Sequence, residues 1–123
     1  LPDDAIIWNR MGEIYQTISQ FHLAKLSFEK AMKLEPSKSE FQMHYLYASS
    51  LENQGLLELP LKKMVFKLIR SESKPAALYN LLATDAFMRK EYVNAVEWWA
   101  KMLPEIPPDA FQERKTLYAA MKH

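Results

Sequence analysis

Apolar residues recur along the chain at the three- and four-residue steps of a helix, and the recurrence breaks at short polar or proline-containing intervals. In residues 5 to 36, Trp8, Met11, Gly12 and Tyr15 form one stripe; Phe21, Ala24, Phe28 and Ala31 form a second, which Pro36 closes. Gly12 and Ala24 are small at the points where two antiparallel helices would cross closely, and the aromatic residues fill the space around that crossing. The order returns in "ALYNLLATDAFMRKEYVNAVEWWAKMLPEIPPD". There Tyr79 stands for Trp8, Leu82 and Ala83 for Met11 and Gly12, Tyr92 for Phe21, Ala95 for Ala24, Trp99 for Phe28 and Pro107 for Pro36. Ala86 replaces Tyr15, and the bulk moves to neighbouring Phe87.

Residues 39 to 74 read as a weaker copy. Ser39 with Gln42 predicts a capping box, Ala48 falls at the small crossing position, and Gly55 ends the helix. The next helix is expected from Leu59 with Pro60 in its first turn, and Ser73 or Lys74 is expected to cap the one after it, with Pro75 at its start. "PPDAFQERKTLYAAMKH" predicts a terminal helix with Asp109 as N-cap, Gln112 at its third position, and a stripe of Ala110, Phe111, Leu117, Tyr118 and Met121. Asp3 and Asp4 are placed to cap the first helix.

The spacing of Trp8, Met11, Gly12 and Tyr15, then Ala24, Phe28 and Pro36, resembles the tetratricopeptide (TPR) repeat. The expected fold is all-α: a right-handed superhelical stack of three helix-turn-helix repeats (5–38, 39–74, 75–108) with a capping helix over 109–123, in a single domain 1–123. Composition agrees, since two glycines leave little material for sheet turns and good helix formers abound.

In such stacks the first helix of each pair lines a concave groove. Groove positions predicted from the register are Asn9, Glu13 and Gln16, flanked by Ile6 and Thr17; Tyr45 and Ser49, flanked by Glu52 and Asn53; and Asn80, Thr84, Phe87 and Met88, flanked by Ala77. The amides of Asn9 and Asn80 could pair with the N–H and C=O of a peptide, while Tyr45, Phe87 and Met88 offer apolar contacts. None of these positions is Lys or Arg, so the cationic clamp that some TPR domains use for a C-terminal carboxylate is not expected; Arg10, Arg89 and Lys90 are the nearest bases.

Sixteen Lys plus Arg against fifteen Asp plus Glu give a charge of +1, so no global field favours nucleic acid, and the Trp98–Trp99 pair does not by itself make a base-stacking platform. Without cysteine there is no disulfide or thiolate chemistry. His22, His44 and His123 are scattered, and no metalloprotease, phosphate-loop or nucleophile-elbow motif occurs; neither enzyme activity nor a metal or cofactor is expected. "LPLKKMVFKLIR" places Leu61, Met64, Val65 and Leu68 opposite Lys62, Lys63, Lys67 and Arg70. That pattern suits a membrane-surface helix, but it equally suits the second helix of a repeat, and the register favours packing.

The run "LLATDAFMRKEY" followed by "AVEWWAKMLP" resembles the closing repeat of TPR domains in bacterial cytochrome c maturation, of the NrfG and CcmI (CcmH C-terminal) type. The resemblance implies a periplasmic module attached to the inner membrane through an upstream anchor. It implies partners too: the C-terminal segment of apocytochrome c, held while haem lyase subunits attach haem. A generic TPR scaffold or co-chaperone, cytoplasmic in that case, is the alternative.

Overall fold

A computed structural model describes residues 3–122, so His123 lies outside the described residues. In chain order the helices are α1 (Ala5–Thr17), α2 (Phe21–Leu34), α3 (Ser39–Glu52), α4 (Leu59–Ser71), α5 (Ala76–Met88), α6 (Tyr92–Ala100) and α7 (Phe111–Met121), with a 3-10 turn at Leu103–Glu105. No strand occurs among the described residues, and the protein is an all-α repeat of helix hairpins with a helix at its C-terminal end. The chain divides into two compact units, one ending at Gln54 and the other beginning at Gly55.

The first unit contains α1, α2 and α3. Asp4 caps α1, its Oδ1 accepting from the Ile6 N–H at 2.9 Å. Gly12 lies against the ring of buried Phe28, so closely that a Cβ built on it would sit 2.5 Å from the ring edge. Ala5, Ala31 and Phe41 form a core against which Trp8, Met32 and Leu34 pack. The capping box predicted at the start of α3 is not made. Ser39 is the first helical residue and Lys38 the cap position, and Gln42 Nε2 donates instead to the Pro36 carbonyl at 2.7 Å, tying the helix to the proline turn before it.

The second unit holds α4 to α7. Pro60 sits in the first turn of α4, where its missing N–H costs nothing, and Val65 and Leu68 are the buried side of that helix. Leu78, Leu81, Leu82, Ala83 and Ala86 bury one side of α5. Two expected caps are absent. Pro75, not Ser73 or Lys74, occupies the N-cap of α5, and α7 starts at Phe111 behind Ala110, leaving Asp109 exposed outside it. Arg114 takes over the ordering of this end, its Nη2 donating to the Ile106 carbonyl at 2.8 Å and its Nε to that of Pro107 at 3.2 Å. The expected stripe on α7 is also narrower: Leu117 is buried, while Phe111 is 77% and Tyr118 46% exposed.

The turns inside the first and third hairpins share one design. Ser19 (φ 62°) and Lys90 (φ 65°) are left-handed, the Gln20 N–H reaches the Tyr15 carbonyl and the Glu91 N–H that of Ala86, both at 2.8 Å. These are Schellman closures with a side chain where glycine is favoured. After α3 the left-handed cap is Gln54 (φ 57°), and Gly55, expected to end that helix, follows it at φ 91°. Since an L-residue in this region costs about 1 kcal/mol, Ser19→Gly and Lys90→Gly are each expected to raise stability by up to that amount. Urea unfolding midpoints at constant slope would measure it, and a lowered midpoint in both would refute the account.

Candidate functional site

In the first unit, a cleft of about 170 Å³ opens between α1 and α3, with Ile6, Asn9, Glu13 and Phe41 among its walls. Asn9 is buried in it. Its Nδ2 donates to Glu13 Oε1 at 3.2 Å, which leaves Oδ1 as the acceptor for His44 Nδ1 at 2.8 Å, so His44 carries its proton on Nδ1. Arg10 Nη1 pairs with Glu13 Oε2 at 3.2 Å. Asn9 therefore keeps one amide hydrogen, not both edges of its amide, for a ligand. Gln16 is half-buried on the same helix.

Tyr45 and Ser49 are enclosed, and the Ser49 hydroxyl donates to the Tyr45 carbonyl at 2.7 Å. Ala5, Ser39 and Ala76 open α1, α3 and α5, so the first step is 34 residues and the second 37. Equal steps carry Asn9 and Glu13 onto Tyr45 and Ser49; the true first step carries them onto Met43 and Tyr47. The more open side of α3 is accordingly Met43, His44, Tyr47 and Leu51, with Tyr47 46% exposed.

In the second unit, Asn80 is exposed and its Oδ1 accepts from Trp99 Nε1 at 3.1 Å, which leaves the Asn80 amide hydrogens outward. Beside it a cleft of about 600 Å³ runs between α5, the end of α6, the 3-10 turn and α7. Ala76, Trp99, Ile106 and Leu117 give it apolar walls, with Asn80 and Thr116 as polar points. Glu105 and Glu113 also line it and no Lys or Arg does, so it suits an apolar or basic segment better than a free carboxylate. The other predicted residues of α5 face elsewhere. Thr84 donates to the Asn80 carbonyl at 2.8 Å, Thr84 and Met88 cover Gly55, and the Phe87 ring packs on Tyr92 at 5.2 Å and Trp99 at 5.8 Å.

Three contributors do not stand out in the sequence pattern: His44, which bonds Asn9; Trp99, which bonds Asn80; and α7, whose Thr116, Leu117 and Ala120 put one side of that helix into the cleft. The bases nearest the groove are already engaged or turned away: Arg10 on Glu13, Arg89 on Asp85 and the Leu57 carbonyl, Lys90 in its left-handed turn.

Two carboxylates are perturbed, and both hold the scaffold. Burial pushes the Asp85 carboxyl upward, but the Leu57 N–H at 2.8 Å, Lys62 at 2.8 Å and Arg89 at 3.0 Å outweigh it and leave it below its ordinary value. Glu52 is lowered by its hydrogen bond with His22 at 2.8 Å, which with Lys25 at 3.5 Å overcomes partial desolvation. Among the described residues no three His, Asp or Glu converge to hold a metal ion, and no helix is long and apolar enough to cross a membrane.

Residues 1–113 match the family model described as the cytochrome c-type biogenesis protein H TPR domain. A Haemophilus influenzae protein named for cytochrome c-type biogenesis, CcmH, is 30% identical over 108 residues, which are 88% of this chain and 24% of that protein. The formate-dependent nitrite reductase complex subunit NrfG of Escherichia coli O157:H7 is 24% identical over 102 residues, 83% of this chain and 52% of the relative. The chain thus spans about a quarter of one relative and about half of the other.

Proposed function

Because the chain belongs to the cytochrome c-type biogenesis protein H family of TPR domains, we propose that it acts as a non-catalytic adaptor that grips a peptide segment of its client. The client is the C-terminal part of apocytochrome c, presented to haem lyase on the periplasmic side of the inner membrane, to which the full-length protein is attached. The observation that carries this reading is the open cleft beside Asn80, with apolar walls from α5, α6 and α7 and the outward amide of Asn80 at its edge. Such a site can hold a short helix or extended chain through side-chain burial and amide contact without reading a terminal charge.

Ordering a short peptide offsets much of its contact energy, so the dissociation constant should be micromolar, about −8 kcal/mol. Isothermal titration with C-terminal peptides of c-type apocytochromes tests it. Asn80→Ala removes the outward amide and Thr116→Trp fills the cleft, and each is expected to weaken binding about tenfold, roughly 1.4 kcal/mol. Unchanged affinity in both would remove the site. Failure of the unaltered chain to bind any such peptide would favour the generic scaffold.

A further inference from the structure

The packing face of α4 is accounted for by the fold, but the charge on its opposite face is not. At 100° per residue, Leu59, Lys63, Phe66, Lys67 and Arg70 lie within about a quarter of the helix circumference. Leu59 is 64% exposed and all three cations are exposed, while Phe66, 40% exposed, rests one side of its ring on Trp98 at 5.9 Å. No Asp or Glu occurs in the helix from Leu59 to Ser71. Its fourth base, Lys62, is neutralised by buried Asp85, whereas Lys63, Lys67 and Arg70 form no ion pair with any described acidic residue. In a chain of net charge +1 this is a local concentration of positive charge, not a share of a general excess.

From this arrangement we infer that the outward face of α4 docks the protein onto an anionic lipid surface. The cations run along about 11 Å of helix axis, a line suited to a plane of headgroups more than to a point ligand. One largely exposed apolar side chain, Leu59, and the open edge of Phe66 lie among them. Leu59 can enter the headgroup boundary, with the open edge of Phe66 at its level, while the cations stay at the level of the phosphates. The helix does not insert, because Val65 and Leu68 hold its other side in the protein core. Each base near such a surface strengthens binding about fivefold, so the three together give roughly a hundredfold preference for anionic over neutral lipid at low salt.

Flotation of the purified chain with phosphatidylcholine vesicles, with and without about one-third phosphatidylglycerol, tests the inference at low and high salt. The expected result is binding to the anionic vesicles alone, lost at high salt. Lys63→Glu, Lys67→Glu and Arg70→Glu combined should abolish it with an unchanged circular dichroism melt, and Leu59→Ser should weaken it severalfold with charge untouched. No binding at low salt, equal binding to neutral vesicles, or full binding by the charge-reversed chain would overturn it. The face of α7 that exposes Phe111, Lys115, Tyr118 and Lys122 is the internal comparison. Loss of binding on reversing Lys115 and Lys122, with the α4 variant unaffected, would also overturn it. Binding to polyglutamate but not to vesicles would assign the face to an acidic polypeptide instead. None of these outcomes depends on the cleft beside Asn80, which peptide titration reads separately.

Discussion

Asp85→Asn is expected to destabilise the second unit by about 3 kcal/mol. The carboxylate is buried and joins three elements: Oδ1 accepts from the Leu57 N–H and from Arg89 Nε, and Oδ2 meets Lys62 Nζ. Arg89 Nη2 closes the group on the Leu57 carbonyl at 3.0 Å. An asparagine of the same shape keeps one acceptor but turns an NH₂ group toward a donor, leaving a cation without its counterion in a mostly buried place. Chemical denaturation of the two chains would measure the loss, and a change below 1 kcal/mol would show that the group is dispensable. The pH dependence has a defined sign. The carboxyl is held lower in the folded chain than in the unfolded one, so its contribution is fully present above the unfolded value of about 3.9 and is lost as pH falls through the lower, folded value. The acid limb of the stability curve should therefore flatten in Asp85→Asn.

Gly12→Leu is expected to cost the first unit about 3 kcal/mol by a different route. A bare Cβ at this position already falls 2.5 Å from the ring of Phe28, which is buried. Gly12→Ala should be milder, near 1 kcal/mol, because the helix propensity gained by alanine offsets part of the overpacking. Thermal or urea unfolding of the pair would check both the order and the sizes. A stabilised Gly12→Ala would show that α1 and α2 can separate at little cost.

These two residues mark what sequence could and could not show. Gly12 was legible because a small residue at a helical step between aromatic ones has one economical explanation, close helix contact, and the same logic located Ala24, Phe28 and Ala83. Asp85 was visible only as part of the family-like run "LLATDAF"; nothing local to it tells that Lys62 and Leu57, more than twenty residues earlier, converge on its oxygens. Helix starts misled where Ser39 and Asp109 had the right chemistry for caps: no side chain caps α3 or α7, and Gln42 and Arg114 instead donate to carbonyls of the turns before them. The groove register failed on α3 because the connection lengths differ, an irregularity that no average period contains. The cleft beside Asn80 needed the third dimension, as half its wall comes from a helix read only as a lid.

The chain's three tryptophans are divided between the units: Trp8 packs on the core of the first, while in the second Trp98 stacks on Tyr79 and Trp99 lies against Phe87. The protein thus carries separate optical reporters in its native composition. Trp8→Phe makes the emission a record of residues beyond Gly55 alone, and Trp98→Phe with Trp99→Phe makes it a record of those before. Overlaying the two melting traces would tell whether the halves lose their structure in one event or in sequence, with no dye attached to either.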